Sequence, residues 1–316
     1  MAAPARKSTM HERNAHRDGY DMALLMQHYP ALKPFVAANP SGILTIDFSD
    51  VLAVTALNKA ILEAEYNVKN WQLPPGYLCP PVPGRADYMH HAADLLALHN
   101  GGAIPQGHSV SVLDIGVGAG VIYPILGNHL YHWSFVGSDI DEEALKNATA
   151  ICNANEHLQE NVQLRAQKNA GHFFKGIAGK DESFDLVVCN PPFYGSEQEA
   201  QEASSRKWRN LGKKENTGRN FGGMSHELYC VGGELKFIRD MIAESFFFSR
   251  KVYWFTTLVS RQEHIHDLRR ALNRVRPREV HVIPMSQGQK SSRILAWTYL
   301  DRNQQQHWRE SRFWSE

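Results

Sequence analysis

The chain has 316 residues, of which 43% are hydrophobic and 21% are charged, and its formal net charge is +1. These values are typical of an ordinary soluble globular protein that buries a sizeable core, as one large domain or one domain plus an extension. They exclude a protein whose overall charge marks it as a nucleic-acid binder, so any such partner must meet a local concentration of basic residues.

The cysteines and the first residues indicate the compartment. The four cysteines are scattered without a C-x-x-C pair, which argues against a zinc ribbon and a disulfide framework. The first residues, "MAAPARKSTMHERN", lack the apolar run of a signal peptide, and no stretch approaches the roughly 18 consecutive apolar residues of a membrane span. We therefore expect a soluble, cytoplasmic protein with no membrane partner.

Residues 1–72 are predicted to form an N-terminal helical extension. The first 20 residues are polar and mildly basic, and residues 20–66 carry apolar side chains at steps of three and four, which is the helical period. Closely spaced prolines then predict an extended connector that packs against the protein and leads into a helix near residues 85–98. These prolines are Pro74, Pro75, Pro80, Pro81 and Pro83.

From residue 109 onward, apolar and β-branched runs alternate with helical stretches. The runs are "VSVLDIG", "WSFVGSDI", "VQLRAQ", "FDLVVCN", "KVYWFTTLVS", "EVHVIPM" and "RILAWTYL". Such alternation predicts an α/β fold with a mostly parallel, Rossmann-like seven-stranded sheet covered on both faces. We assign residues 73–302 to this domain and residues 303–316 to a loose C-terminal tail.

A glycine-rich loop follows the first strand of this domain and predicts a cofactor site. "VLDIGVGAG" places Gly116 and Gly118 where backbone can approach a ligand, and Asp139 closes the next strand, where a carboxylate can accept hydrogen bonds from both ribose hydroxyls of an adenosine. The G-x-G-x-G spacing departs from the pyrophosphate-binding G-x-G-x-x-G, which favours S-adenosylmethionine over NAD. Asp114 lies in reach of the cofactor's amino-acid end, or it braces the loop.

The fourth strand ends in the motif Asn190-Pro191-Pro192-Phe193, which predicts an acceptor site. The Asn190 side-chain carbonyl and the Pro191 backbone carbonyl can hold a planar NH2 group, and Phe193 can stack on a base. Two aligned acceptors favour pyramidalisation of an adenine amine and stabilise the charge that develops as a methyl group transfers. The alternative is a proline turn with Phe193 in the core.

Several stretches together resemble the bacterial 23S ribosomal RNA adenine-N6 methyltransferase family, whose eukaryotic relatives methylate adenine in U6 small nuclear RNA. They are "GYLCPPVPGRADYMH", "VLDIGVGAGVIYPILG", "FVGSDID", "CNPPFYGSEQEA", "VGGELKFIRDMIAES" and "FTTLVSRQEHIHDLRRAL". The resemblance covers about residues 10–300, and the combination is far more specific than the NPPF motif alone.

The resemblance implies a reaction and some roles. It implies transfer to N6 of one ribosomal adenine, a class I fold, and an N-terminal extension that selects the RNA. It also implies that Arg85 closes over the cofactor, that Gly116, Asp139 and Asn190 line its pocket, and that Asn169 touches it.

Residues 204–220 form a basic segment directly after the NPPF motif, with tryptophan and phenylalanine close by. Such a segment suits phosphate contacts and base stacking in 23S ribosomal RNA or a large-subunit assembly intermediate, although it is also typical of a solvated, disordered loop. The N-terminal region, with Lys7, Arg13 and Arg17, is a second candidate for RNA contact. The basic residues of the segment are Arg206, Lys207, Arg209, Lys213, Lys214 and Arg219.

Other readings remain open at this point. NPPF motifs also occur in enzymes that methylate DNA adenine or a protein glutamine, and the chain could be an RNA-binding scaffold without activity. A nicotinamide dehydrogenase is disfavoured by the glycine spacing. No metal site is expected, because His11 and His16 miss the i, i+4 spacing and the pairs His90–His91 and His264/His266 lack nearby acidic ligands. The residues do not imply an oligomer.

Overall fold

The computed structural model describes residues 10–196, 198–199, 228–287 and 290–313. Within these ranges a seven-stranded mixed sheet carries helices on its faces, and a two-stranded hairpin lies in the N-terminal region. The predicted seven-stranded α/β fold with a helical N-terminal region is therefore confirmed. The hairpin strands, which the sequence pattern did not predict, are β1 (Val36–Ala38) and β2 (Leu44–Ile46).

The large sheet has the order β5-β4-β3-β6-β7-β9-β8. Neighbours from β5 to β7 pair in parallel, and β9 pairs antiparallel with both β7 and β8. Strand β3 lies inside the sheet, so its residues are flanked on both sides. The strands are β3 (Ser111–Ile115), β4 (Ser134–Asp139), β5 (Val162–Ala166), β6 (Phe184–Cys189), β7 (Val252–Val259), β8 (Glu279–Gln287) and β9 (Lys290–Thr298).

The helices begin where capping side chains satisfy the free backbone N–H groups. The carboxylates of Asp21, Asp50 and Asp141 each accept from such N–H groups at the helix that follows them. The helices are α1 (Met22–His28), α2 (Val51–Tyr66), α3 (Val82–Ala97), α4 (Ile122–Tyr131), α5 (Glu142–Asn153), α6 (Glu156–Asn161), α7 (Gly233–Ser245), α8 (His264–Val275) and α9 (Arg302–Arg312). None of them has the length and apolar character that crossing a lipid bilayer requires.

The strand register brings three site candidates side by side. Ile115, the last residue of β3, pairs with Ser138 on one side and with Cys189 on the other. The following residue, Gly116, is consequently flanked by the ends of β4 and β6, where Asp139 and Asn190 lie. The chain runs from β3 to β4 and β5 on one side and returns to β6 on the other, so the strand order reverses between β3 and β6. Such a topological switch point is where open α/β sheets bind ligands.

The proline-rich connector packs against the rest of the protein, as predicted, and the structure places its Leu73 and Tyr77 against Ala119 in the loop after β3. The Trp71 indole N–H donates to the Gly120 carbonyl at 2.9 Å, and the Tyr77 hydroxyl donates to Asp141 at 2.8 Å. The buried apolar side chains of α2 belong to the same core cluster as Val112 and Leu186, on one face of the sheet. The division of the chain at residue 72 stays a prediction.

The C-terminal residues differ from the expected loose tail, because residues 302–312 form α9. Asp301 and Gln304 form a capping box at its start. The Trp308 indole N–H and the Arg312 guanidinium both donate to Asp185 at 2.7 Å. Asp185 is fully buried at the start of β6, so α9 supplies the countercharge for a carboxylate inside the sheet.

Candidate active site

The loop after β3 adopts a backbone that glycine favours. Gly116 and Gly118 have φ angles of 74° and 66°, in the left-handed region. A Cβ atom built on Gly116 would meet nothing within 4 Å, so open space lies directly over this residue. A ligand can therefore approach the backbone closely at Gly116. Gly120 differs, since a Cβ atom there would lie 3.3 Å from the Trp71 and Leu73 side chains.

Asp139 is tied to the glycine loop by its own carboxylate. One oxygen accepts from the Gly118 N–H at 2.9 Å, and the other accepts from the Asp141 N–H at 3.0 Å. Burial raises the pKa of the Asp139 carboxyl, and these backbone hydrogen bonds oppose that rise. Each carboxylate oxygen has a second lone pair, so the bound group can still accept from a ligand hydroxyl.

Asp114 is a buried carboxyl group without a partner. It is 0% exposed, and neither of its oxygens has a hydrogen-bond partner among the described residues. Burial raises its pKa well above the usual range, the nearby Asp139 adds to that rise, and Arg85 opposes it. A cationic ligand group beside Asp114 would satisfy the carboxylate and lower its pKa.

Arg85, on α3, lies close enough to Asp114 to influence the pKa of that carboxyl. Its Nη1 donates to the Tyr123 hydroxyl at 3.2 Å, and its guanidinium lies 5.6 Å from the Tyr123 ring centroid. The side chain is half-buried on α3, directly after the connector that packs over the glycine loop. Arg85 also opposes the rise in the pKa of Asp114, so its guanidinium acts on the same buried carboxyl that a cationic ligand group would meet.

Asn190 presents a buried acceptor at the end of β6. Its Oδ1 is shielded from solvent and has no hydrogen-bond partner among the described residues. An unpartnered buried acceptor costs about 1–3 kcal/mol, so it is retained where a ligand donor satisfies it. Pro191 beside it is buried, whereas Phe193 is only half-buried, which argues against the reading of Phe193 as a core residue.

The end of β6, next to Asn190, is held by Tyr88, a residue that the sequence analysis did not single out. The buried Tyr88 hydroxyl lies 2.7 Å from Thr256 Oγ1, and Thr256 donates to the Val187 carbonyl at 2.6 Å. The Cys189 N–H also donates to the Tyr88 hydroxyl, at 3.4 Å. Helix α3 therefore carries both Arg85 and the brace of β6, and its helical period is the one signal that could have linked them.

Asn169 lies in the turn after β5, the strand that pairs with β4. Its side chain is exposed, and its Oδ1 accepts from the Gly171 N–H at 2.9 Å within a local turn after β5. The structure thus brings together Asp114, Gly116, Gly118, Asp139 and Asn190 at one sheet edge, with Arg85 on α3 above them. The role of Asn169 in cofactor binding stays a prediction.

The basic segment lies outside the described residues. Of the N-terminal candidates, Lys7 also lies outside them, whereas Arg13 donates to the Asp94 carboxylate at 2.7 Å and to the His90 carbonyl at 2.9 Å. Arg13 therefore fastens the N-terminal segment to α3. The basic residues of segment 204–220, all of them outside the described ranges, are Arg206, Lys207, Arg209, Lys213, Lys214 and Arg219.

The expectation that the histidine pairs lack acidic neighbours is wrong. His264 Nδ1 lies 2.7 Å from Glu234, and His11, His91 and Asp94 offer ligand atoms within 4.8 Å of one another. The Arg13 N–H donates to His11 Nδ1, however, which leaves the imidazole proton on Nε2, 2.8 Å from Asp94. This contact is a hydrogen bond that closes the N-terminal segment on α3, and the protonated Nε2 is not a metal ligand.

Comparison with known proteins agrees with this geometry. A family model described as RNA methyltransferase matches residues 4–301. The chain is 50% identical over 307 residues to the ribosomal RNA large subunit methyltransferase F of Cronobacter sakazakii, covering 97% of this chain and 99% of that relative.

Solved structures give a second comparison. The catalytic domain of hMettl16 in complex with the MAT2A 3'UTR hairpin 1 superposes with a TM-score of 0.78 and 28% identity, covering 94% of this chain and 97% of that one. The N-terminal domain of human METTL16 in complex with SAH superposes with a TM-score of 0.72 over 92% of this chain and 99% of that one, and at 24% identity it shows the shared fold alone.

Proposed function

Because the chain belongs to the RNA methyltransferase family, we propose that it transfers a methyl group from S-adenosylmethionine to N6 of one adenine in 23S ribosomal RNA. The observation that carries the proposal is that the Asp114 carboxylate and Asn190 Oδ1, at neighbouring strand ends, are buried acceptors without a hydrogen-bond partner among the described residues. One of them suits a cationic ammonium group, and the other suits the amine of a base. A methyl transferase with an amine acceptor needs both.

The residues around Gly116 fit S-adenosylmethionine. When bound, this cofactor supplies a methyl group activated by its sulfonium. Asp139 is placed to accept from the ribose hydroxyls, the open space over Gly116 admits the ligand, and Asp114 is placed to receive the ammonium group. Arg85, which already stacks on Tyr123, is placed to cover the ligand's carboxylate end.

In this proposal, Asn190 and the two prolines that follow it form the site for the acceptor base. The Asn190 side-chain carbonyl and the Pro191 backbone carbonyl accept from the two N–H bonds of adenine, which draws the lone pair of the amine out of conjugation. The same two oxygens stabilise the positive charge that develops on nitrogen as it accepts the methyl group, and the methylated amine then loses one proton to water. Phe193 stacks on the base, which must be unpaired or flipped out of its stack to enter. Pro192 holds the turn between these groups.

The RNA is proposed to contact the surface beside the acceptor site. Segment 204–220 lies outside the described residues and begins, in the sequence, five residues after Glu199, the last described residue before it. We assign phosphate contacts to its basic residues and substrate selection to residues 1–72, with 23S ribosomal RNA or a large-subunit assembly intermediate in the cytoplasm as the partner. The 50% identical relative is named for the large-subunit RNA.

The test is methyl transfer from labelled S-adenosylmethionine to separate acceptors, followed by digestion to nucleosides. Naked 23S RNA, large-subunit particles, small nuclear RNA, DNA and total protein are offered in parallel. We expect N6-methyladenosine in 23S RNA, naked or in particles. Label found only in DNA, in protein glutamine or in small nuclear RNA would show that this molecule is the acceptor and that 23S ribosomal RNA is not. Cofactor binding without transfer to any of them would favour a binding scaffold.

A further inference from the structure

The acceptor loop, residues 190–195, is fastened along its second half. The Phe193 and Tyr194 N–H groups both donate to the Leu228 carbonyl, at 3.1 and 3.0 Å, and the Cys230 N–H donates to the Tyr194 carbonyl at 3.1 Å. Gly195 approaches the start of α7 closely, since a Cβ atom on Gly233 would lie 3.3 Å from the Gly195 nitrogen. The backbone of the acceptor loop is therefore held as firmly as a strand at this end.

Glu199 adds a connection from the acceptor loop to the end of β7. Its Oε2 accepts from the Gly195 N–H at 2.8 Å, and its Oε1 accepts from Arg261 Nη2 at 2.8 Å. The hydrogen bond that Arg261 donates to Glu199 raises the pKa of the guanidinium, so the cation is stabilised there. A backbone N–H of the acceptor loop is thus joined through one carboxylate to a cation on another strand end.

Arg261, which holds Glu199, is itself held in place by the buried carboxylate of Glu234. The Glu234 side chain is fully shielded and accepts from the Ser260 N–H at 2.6 Å and from the Arg261 N–H at 3.4 Å. His264 Nδ1 lies 2.7 Å from the same carboxylate. Glu234 therefore fixes the corner formed by Ser260 and Arg261, directly after β7.

The corner lies beside the proposed acceptor site. In the register of β6 with β7, Val187 pairs with Phe255, which places Asn190 level with Leu258, two residues before Ser260. Both strands are parallel, so their carboxyl ends meet at the same sheet edge. Movement of the Ser260–Arg261 corner would be transmitted to the acceptor loop through Glu199.

We propose that Glu199, held by Arg261, is a positioning residue that fixes the acceptor loop for methyl transfer. This inference rests on the proposed function. An exposed ion pair alone contributes little to stability, but Glu199 also receives a backbone N–H of the acceptor loop. The Lys236–Asp240 pair has similar exposure and lies on α7, yet it joins two residues of one helix, which makes it a matched control. Misplacement of a catalytic group by about 1 Å can cost ~100-fold in rate.

The test compares steady-state methyl transfer by Glu199→Ala, Glu199→Gln, Arg261→Ala and Asp240→Ala in the full chain. We expect Glu199→Ala to lower kcat by roughly 10-fold or more, with KM for RNA and Kd for S-adenosylmethionine changed by less than about 2-fold. Glu199→Gln should recover most of the rate, because its amide oxygen still accepts from Gly195. The double variant Glu199→Ala/Arg261→Ala should be no slower than Glu199→Ala, and Asp240→Ala should match the wild type.

The outcomes separate this inference from the proposed function. If the wild type methylates adenine in RNA while Glu199→Ala retains normal kcat, the positioning role is wrong and the function stands. If the wild type methylates a different acceptor, the same variants are compared on that acceptor, and an unchanged kcat again rejects the role. If the wild type methylates nothing, both are rejected. Should Glu199→Ala unfold, the kcat values of Arg261→Ala and Glu199→Gln test the positioning role in its place. Additive losses of kcat in the double variant would contradict the connection between Glu199 and Arg261.

Discussion

Replacing Asn190 by alanine should remove activity without weakening the fold. In the described part of the chain, Asn190 Oδ1 is buried and unpartnered, an arrangement that costs about 1–3 kcal/mol before any ligand binds. In the transition state this oxygen accepts from an amine that is becoming positively charged. Removing one preorganised group of this kind typically costs about 2.7–4 kcal/mol, so we expect kcat to fall by at least ~100-fold.

Asn190→Ala should leave the stability of the fold unchanged or slightly higher, although it removes activity. Because Asn190→Ala deletes an unsatisfied acceptor, the free energy of unfolding should stay the same or rise by up to about 1 kcal/mol. Single-turnover methyl transfer, S-adenosylmethionine binding by calorimetry and urea unfolding would be measured on the same preparations. The reasoning is refuted if the variant turns over at a near-normal rate, or if its activity is lost only because it unfolds.

Three further expectations concern buried charges. Because the folded-state pKa of Asp114 is raised, stability without cofactor should decline as pH rises above about 4, and Asp114→Asn should abolish that slope in thermal unfolding between pH 4 and 9; parallel curves would contradict it. Burial lowers the pKa of His16 to about 4, so its contribution is complete above about pH 6.5 and is lost as pH falls toward 4, by roughly 3 kcal/mol. Urea unfolding of His16→Gln at pH 7.5 and 4.5 should show a correspondingly smaller drop than the wild type, and an equal drop would assign the acid sensitivity elsewhere. Arg312→Ala should lower the free energy of unfolding by about 3–5 kcal/mol because it leaves the fully buried Asp185 carboxylate without its cation, whereas Asp185→Ala should cost less because the Arg312 guanidinium that it orphans is partly exposed to water; in urea unfolding, a loss below about 1 kcal/mol in Arg312→Ala would show that α9 does not support the sheet.

The strands of the sheet, and the grouping of the site residues at the strand ends, were predictable because both depend on local sequence. The apolar runs match the seven strands of the sheet, and the carboxyl ends of parallel strands must share an edge, so Gly116, Asp139 and Asn190 could be placed together without coordinates. Positive φ angles at Gly116 and Gly118 were likewise indicated by residue type.

The remaining contacts join residues that are distant in the sequence and carry no periodic signal. Tyr88 braces a strand end 101 residues later, and Glu199 meets Arg261 across 62 residues. Helix α9 was missed for another reason, since its sequence is almost wholly polar and its attachment depends on Trp308 and Arg312 meeting one buried carboxylate. Pattern analysis detects apolar faces, and it does not detect a charge that is buried only by a later segment.

The attachment of α9 also affects how the chain folds during translation. Asp185 is synthesised 123 residues before Trp308 and 127 residues before Arg312. Until α9 has left the ribosomal exit tunnel, the sheet contains a carboxylate whose cation has not yet been made, and burying it alone is unfavourable. The central sheet should therefore be completed only after α9 has left the exit tunnel, and contacts of such large sequence separation predict slow, late folding.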